Sequence, residues 1–285
     1  MSRFRKTLFS PNTGRILAVL LTLGFFILSG ALSILLPALT PAFYRREFAK
    51  NDTLALVRQQ AAYLSDEKAA SYVASLSEEE LLALMKHTLR YCIFLEDDLN
   101  ITVNGERLEV FREDELSHMR DVRSVFGGGL LLTLAGLVLF VLGVVYFRIR
   151  PRLYASCRRV PYITLAVLAG LLLIVALAAA IDFTAAFAVF HKIFFAGTKW
   201  RFGDAVMIAM IGDIFPDLVP IIFVLWIFLL GSFVFVLSRV SRALRGASQD
   251  EGPGQTLPAG SGKAESSDSP NESPASEGPS PEQNR

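Results

Sequence analysis

Four long apolar runs, separated by polar segments, dominate the pattern of hydrophobic positions along the chain. They cover residues 16–36, 126–147, 162–181 and 218–237, and none of them contains a charged residue. A helix needs roughly 20 apolar residues to cross the hydrocarbon core of a bilayer. The pattern therefore predicts an all-α polytopic membrane protein with four transmembrane helices.

The first apolar run follows several basic residues, a pattern that signal peptides share. Its apolar part is longer than the roughly 7–15 residues of a signal-peptide core. Residues 37–39, Pro-Ala-Leu, offer no small-residue cleavage site. We therefore interpret the run 16–36 as a retained membrane span.

The Lys and Arg residues beside the spans predict the orientation of the protein, since these residues concentrate in short cytoplasmic segments. They are Arg3, Arg5, Lys6 and Arg15 before the first span, Arg148, Arg150, Arg152, Arg158 and Arg159 between the second and third, and Arg239, Arg242 and Arg245 after the fourth. In a four-span protein all three groups lie on one side. We expect both termini in the cytoplasm and the two remaining segments on the extracytoplasmic face.

These interpretations divide the whole chain. We expect a cytoplasmic N-terminus (1–15), the first span (16–36), an extracytoplasmic domain (37–125), the second span (126–147), a basic cytoplasmic link (148–161), the third span (162–181), an aromatic-rich extracytoplasmic segment at the membrane interface (182–217), the fourth span (218–237) and a cytoplasmic tail (238–285). From about residue 246 the tail is rich in Gly, Ser, Pro and Glu, so it cannot bury enough apolar surface to fold and is expected to be disordered.

The segment 37–125 is too polar to span the membrane and has local signals of folded structure. Ser77 and Glu80 form a capping-box pattern at the start of an amphipathic helix. Further on, Asn104–Gly105 stands between two short alternating stretches, which is typical of a β-hairpin with a type I′ turn. The segment is therefore expected to form a small helical domain that contains one β-hairpin.

Composition and missing motifs exclude several classes of function. The net charge is +1, so nothing indicates a nucleic-acid partner. The two cysteines fall on opposite sides of the membrane in this topology, which rules out a disulfide between them. The chain has no nucleophile elbow, zincin or P-loop motif. The spans lack the charged residues that mark ion or proton paths, which weakens a transporter interpretation.

Two of the three histidines stand just outside a span, and His118 is the first of them. On a helix Asp114, Glu115 and Asp121 lie at i−4, i−3 and i+3 from it. Any of these carboxylates could accept an imidazole N–H, fix the tautomer and raise the basicity of the ring. The alternative is an ordinary surface histidine on a solvated acidic helix face. The third histidine, His87, is expected to be structural or exposed.

His191 lies beside a stripe of phenylalanines at helical spacing. The stripe consists of Phe183, Phe187, Phe190 and Phe194, and Phe195 and Trp200 follow it. Such a segment suits a groove that holds acyl chains beside an acid–base group. The alternative is an aromatic belt at the membrane–water interface with a histidine at headgroup depth.

The segments around the two histidines together resemble those of a known family. The shared positions are Glu115, His118, Met119, Asp121 and Val122 ahead of the second span, and Phe190, His191, Ile193, Phe194, Phe195, Trp200 and Phe202 after the third. In this pattern, and in its four-span layout over roughly residues 10–240, the chain resembles the bacterial lipoprotein intramolecular transacylases (Lit). Tyr63–Leu64 is similar to a Tyr-Leu element in the first outward helix of that family.

The resemblance implies an acyltransferase in the bacterial cytoplasmic membrane that needs no cofactor or metal. Its substrates would be diacylglyceryl-modified lipoproteins, whose sn-2 acyl chain moves from glycerol to the α-amine of the N-terminal cysteine and leaves a lyso-form lipoprotein. The implied site has His118 and His191 as the catalytic pair, Asp121, Glu115 and Tyr63 as orienting or supporting residues, and Phe187, Phe190, Phe194, Phe195 and Trp200 as the residues that bind substrate and membrane lipid.

The roles within the histidine pair stay open at this point. We favour His118 as the base, oriented by Asp121 or Glu115, and His191 as the acid or oxyanion stabiliser; the reverse is the alternative. Two other functions are compatible with the chain. One is a non-catalytic membrane module that binds lipid or a protein partner, and the other is a zinc hydrolase whose third ligand is an Asp or Glu.

Overall fold

The computed structural model describes residues 11–195, 203–212 and 214–250. Up to the second span the elements are α1 (Pro11–Ala38), α2 (Pro41–Lys50), α3 (Thr53–Gln59), a 3₁₀ turn (Gln60–Tyr63), α4 (Glu67–Ser75), α5 (Glu78–Cys92), β1 (Ile101–Val103) and β2 (Glu106–Leu108). They are followed by α6 (Glu113–Ile149), α7 (Pro151–Cys157), α8 (Val160–Ile181), α9 (Phe183–Phe194), α10 (Val206–Ile211) and α11 (Phe215–Asp250).

Four of these helices, α1, α6, α8 and α11, are long and apolar enough to cross a membrane. They contain the four predicted runs, and the fold class is confirmed. Helices α1, α6 and α11 extend beyond both ends of their apolar runs, whereas α8 ends at Ile181, the last residue of its run. Helix α6 has 37 residues and is therefore about 55 Å long, well beyond the roughly 30 Å of the hydrocarbon core. Its polar first part, residues 113–125, thus projects out of the membrane.

Helix α1 is the centre of the membrane bundle and contacts α6, α7, α8 and α11. Its closest partner is α6, because glycines face each other across the contact. A Cβ at Gly24 would stand 2.6 Å from the carbonyl oxygen of Gly136, so neither side tolerates a larger residue there. On the other side, the indole N–H of Trp226 in α11 donates to the Ser29 hydroxyl at 3.0 Å. These contacts fix the spans that carry the site.

The chain between α1 and α6 folds into one small domain, called here the inter-span domain (residues 39–112). Its buried apolar core contains side chains from α2–α5, the hairpin and the start of α6. Met207 and Met210 of α10 enter the same core and are 2% and 1% exposed. The short helix before the fourth span therefore packs into a domain that precedes the second span in sequence.

The local signals in this domain are confirmed. The Ser77 hydroxyl accepts from the Glu80 amide at 3.3 Å, and the Glu80 carboxylate accepts from the Ser77 amide at 2.8 Å. Strands β1 and β2 are antiparallel and pair Val103 with Glu106. Asn104 and Gly105 have φ values of 53° and 84°, which a type I′ turn requires.

The last helix continues a few residues beyond the position where the sequence indicated disorder. Helix α11 ends at Asp250, whereas the predicted disorder begins at about residue 246. A long helix can continue after leaving the membrane as long as no proline or glycine-rich stretch interrupts it. The rest of the tail, like residues 1–10, lies outside the described residues.

Candidate active site

The polar first part of α6 carries His118. The helix begins at Glu113, and the Glu115 carboxylate accepts from the Arg112 amide at 3.0 Å, which satisfies one of the donors at the helix N-terminus. His118 follows one turn after this cap on the face that is covered by the rest of the protein. Its side chain is only 6% exposed.

Helix α9 carries His191 in its last turn. Asp182 caps the helix, since its carboxylate accepts from the Ala185 amide at 2.9 Å. Nδ1 of His191 lies 2.9 Å from the carbonyl oxygen of Phe187. A carbonyl oxygen can only accept, so Nδ1 carries the hydrogen. In the neutral ring Nε2 is then the basic nitrogen.

The two imidazoles meet, although they are far apart in sequence. Their ring centroids are 6.0 Å apart and their planes differ by 19°. Phe195 packs against both, with its ring centroid 5.0 Å from His118 and 5.1 Å from His191. His191 is as buried as His118, with 7% of its surface exposed. The structure therefore brings both predicted catalytic histidines into one buried aromatic cluster.

Burial controls the protonation of the pair, and both rings lie outside the uncharged membrane runs. It lowers the pKa of His118, the neighbouring His191 lowers that pKa further, and the Asp121 carboxylate opposes both effects. Burial also lowers the pKa of His191, and the hydrogen bond to the Phe187 carbonyl opposes it. Both rings are therefore neutral near pH 7 and available as bases.

The carboxylate of Glu115 links two helices close to His118. Among the described residues the Glu115 side chain makes no hydrogen bond to the imidazole of His118. It is fully buried, and it accepts from the Met207 amide of α10 at 2.8 Å as well as from the Arg112 amide. Burial raises the pKa of this carboxyl, whereas the two amide donors oppose that rise. Glu115 is thus a brace between α6 and α10, one turn from His118.

The other two carboxylates near His118 differ in what they do. Asp121 is half-buried and acts on His118 through its charge. Asp114 is exposed and accepts hydrogen bonds from the Arg112 side chain and from the Glu115 amide. Among the predicted partners of His118, Asp121 is therefore the one whose charge reaches the ring.

Tyr63 and His87 lie away from the histidine cluster. Tyr63 ends the 3₁₀ turn and its side chain is 53% exposed. Among the described residues it makes no hydrogen bond or ring contact with either histidine. Nε2 of His87 lies 2.9 Å from the carbonyl oxygen of Asp98, within the inter-span domain. No direct contact therefore supports the predicted role of Tyr63. His87 makes a local contact within the inter-span domain.

The predicted substrate-binding phenylalanines form two groups. Phe187 packs on His191 at 4.1 Å, and Phe195 contacts both histidines. Phe190 and Phe194 pack on each other at 4.7 Å and are 43% and 51% exposed. The first group covers the imidazoles. The second presents apolar surface outward, and Phe190 also packs edge-on against His191 at 5.6 Å. Trp200 lies outside the described residues.

Two residues near the site were missed by the sequence analysis. Arg112 donates to the backbone carbonyl of Asp204 and so holds the chain just before α10. Phe215, at the start of α11, packs against Phe187 at 5.6 Å. Arg112 directly precedes the acidic first turn of α6, so its position was clear from the sequence. Its acceptor could not be predicted, because a backbone carbonyl is present in every residue type.

Within the described ranges, no three His, Cys, Asp or Glu side chains lie close enough together to hold a metal ion. The chemistry that this arrangement can support directly is proton transfer by two neutral imidazoles in a site with little water.

Comparison with known proteins identifies a family. The model of lipoprotein intramolecular transacylase Lit matches residues 16–215 of this chain. No match is found among curated protein sequences.

The fold is also similar to solved structures of the membrane-integral lipoprotein intramolecular transacylase Lit from Bacillus cereus. One of them is 16% identical, with a TM-score of 0.57, over 85% of this chain and 100% of the other. A variant with a histidine-to-arginine mutation is 16% identical, with a TM-score of 0.59, over 88% and 100%. A histidine-to-alanine variant is 15% identical, with a TM-score of 0.59, over 86% and 100%.

Proposed function

Because the chain belongs to the family of lipoprotein intramolecular transacylases, we propose that His118 and His191 catalyse the acyl transfer that defines this family. The observation that carries the proposal is the meeting of the two buried rings 6.0 Å apart. Neutral imidazoles in a poorly hydrated site suit proton transfer near neutral pH. The runner-up, a membrane module that only binds, gives no reason for two buried histidines to face each other.

The reaction moves an acyl chain within one molecule. The α-amine of the N-terminal cysteine attacks the carbonyl carbon of the sn-2 ester, a C–N bond forms, and the C–O bond to glycerol breaks. On the way from ammonium to amide the nitrogen loses two protons: one ends on the glycerol oxygen and the other is released to water, so the step is balanced without a co-reactant. Nucleophile and ester belong to the same lipoprotein. The protein therefore needs to position them, move the proton and exclude water.

His191 is the first proton acceptor in this proposal. Its Nδ1–H is donated to the Phe187 carbonyl, which leaves Nε2 with the lone pair that can take the ammonium proton. The resulting imidazolium can pass the same proton to the departing glycerol oxygen. This assignment reverses the roles that the sequence analysis favoured.

His118 stabilises the charge that develops during the reaction. Asp121 favours the protonated form of this ring, so an N–H of His118 directed at the tetrahedral oxyanion is strengthened by that charge. A protonated His191 disfavours a second proton on His118, so the pair holds at most one added proton during the reaction. Asp121 acts through His118 and is a positioning residue.

The apolar surface beside the pair holds the acyl chains. Val189, Phe190, Ile193 and Phe194 expose apolar side chains on one side of α9. A chain held there brings its ester to the histidines, while Phe187 and Phe195 exclude water from them. Diacylglyceryl-modified lipoproteins and membrane lipid are therefore the partners. Trp200 stays a predicted substrate-binding residue from its sequence position alone.

The basic residues next to the spans support an orientation with both termini in the cytoplasm. The histidine pair then lies on the extracytoplasmic face. Lipoproteins expose their diacylglyceryl-cysteine on that face, so the site and the substrate meet there.

Expression in a bacterium whose lipoproteins are diacylated with a free amine tests the proposed function. We expect N-terminal lipopeptides with an N-acyl chain and a lyso-glyceryl group, detected by mass spectrometry. If stably expressed protein leaves all lipopeptides diacylated, the binding module is the better account. Loss of an acyl chain without N-acylation, together with metal in the purified protein, would favour a zinc hydrolase.

A further inference from the structure

In the loop after α5, the chain leaves the C-terminal end of the helix with an unusual backbone conformation. Phe94 has a φ of 64°, a conformation that bulky side chains rarely adopt and that costs about 1–2 kcal/mol. The Phe94 amide donates to the Tyr91 carbonyl at 3.2 Å, and the Leu95 amide donates to the Arg90 carbonyl at 2.9 Å. These two bonds form a Schellman motif, in which glycine usually takes the place of Phe94.

Large apolar side chains are exposed at this loop. Phe94 is 51% exposed and Leu95 is 57% exposed. They follow Ile93 directly, so three successive apolar residues come after a helix that buries Leu81, Leu84, Met85, Tyr91 and Cys92 in the inter-span domain. Exposure of these side chains to water is unfavourable, because each square ångström of apolar surface left in water costs about 25 cal/mol relative to a buried one.

The loop lies at the level where α6 enters the membrane. A Cβ at Gly127 would stand 3.0 Å from the Phe94 ring, and Gly127 is the second residue of the uncharged run 126–147. Arg123, one turn earlier, is the last charged residue before that run. Its guanidinium lies 4.6 Å from the ring centroids of Tyr91 and Phe94 and pairs with Asp97 at 3.3 Å. The loop is thus fastened to α6 at the membrane boundary.

We infer that Phe94 and Leu95 insert into the lipid leaflet beside α6 and anchor the inter-span domain to the membrane surface. The Phe94 ring lies at Gly127, and one turn further along the second span Leu130 and Leu131 are 42% and 71% exposed. The stacked Arg123 marks headgroup depth, where aromatic and basic side chains concentrate. Bilayer acyl chains are therefore the partner that fits this surface.

This anchor is separate from the histidine pair. Successive helix residues rotate by 100°, which puts His118 and Gly127 on opposite faces of α6. The inference therefore does not depend on the proposed function, and it can fail while the catalytic account stands.

Spin labelling of the full-length protein in phosphatidylethanolamine–phosphatidylglycerol vesicles tests the anchor. Cys92 and Cys157 are replaced by alanine, and labels are attached to Leu95→Cys or, as a control, to Thr102→Cys on the exposed hairpin strand. The ratio of collision rates with oxygen and with a water-soluble nickel complex is expected to be several-fold higher at position 95. Equal ratios at the two positions would overturn the inference, as would dipolar broadening that places position 95 against a second copy.

A matched pair of glycine variants tests whether Phe94 packs against Gly127. Gly127→Val is expected to displace Phe94 and to lower the oxygen-to-nickel ratio at Leu95→Cys. Gly128→Val has open space around its added side chain and is expected to leave the ratio unchanged. If both variants change the oxygen-to-nickel ratio equally, Phe94 does not pack against Gly127. If the label at position 95 prevents insertion, a label at Phe94→Cys is compared with the one at Thr102→Cys instead.

Discussion

Replacement of either His118 or His191 by alanine is expected to lower the rate of acyl transfer by about 10²–10⁴-fold, the usual contribution of general acid–base catalysis. His118→Ala removes the donor that stabilises the oxyanion, and His191→Ala removes the group that carries the proton from amine to glycerol. Initial rates on a synthetic diacylglyceryl lipopeptide, with equal amounts of folded purified protein, measure the effect. His87→Ala is the matched control, because His87 bonds a loop carbonyl inside the inter-span domain.

The double variant gives the sharper result. Because the two rings act on one proton and one tetrahedral centre, removal of both is expected to cost little more than removal of one. Losses that multiply in the double variant would mean that the two histidines act independently, which contradicts the pairing.

Glu115→Ala is expected to destabilise the protein and to impair acyl transfer. The substitution leaves the amides of Arg112 and Met207 without their acceptor, and each buried unsatisfied donor costs about 1–3 kcal/mol. With α10 released from α6, the turn that carries His118 loses its support. Thermal unfolding in detergent together with the initial rate of transfer measures both effects.

Two further variants distinguish the loss of the Glu115 hydrogen bonds from a general effect of removing a negative charge. Glu115→Gln keeps one acceptor oxygen and is expected to fall between wild type and Glu115→Ala. Asp114→Ala removes an exposed neighbouring carboxylate and is expected to change the unfolding temperature little. A Glu115→Ala protein as stable and active as the wild type would show that the contact between Glu115 and Met207 does not hold the site.

The membrane architecture was accessible from the sequence because the bilayer itself sets the length of an apolar run. The capping box at Ser77 and the hairpin turn at Asn104–Gly105 were equally local, since the residues that form each contact are neighbours in the chain. Such features follow from spacing and composition alone.

The details of the site depended on packing between distant segments. The resemblance named both histidines, but only the fold shows that His191 of α9 meets His118 of α6 and that Phe195 covers both rings. The partner of Glu115 is a backbone amide, which every residue except proline has, so no pattern could indicate it. The turn at Phe94 was hidden for a similar reason, because it lacks the glycine that marks such a helix end.

Titration of the imidazoles by NMR in full-length protein with labelled histidine tests the pairing of His118 and His191 most directly. The chain has three histidines, so single substitutions assign each signal. Folding lowers the pKa of both paired rings. Both therefore stay neutral until the pH falls below the ordinary range of histidine, and the folded protein loses stability as the pH falls through that range.

The account predicts opposite shifts in two variants. His191→Gln removes a neighbouring positive charge and raises the pKa of His118, whereas Asp121→Asn removes an attractive negative charge and lowers it. A His118 pKa that is the same in wild type and in His191→Gln would contradict the pairing on which the proposed mechanism rests.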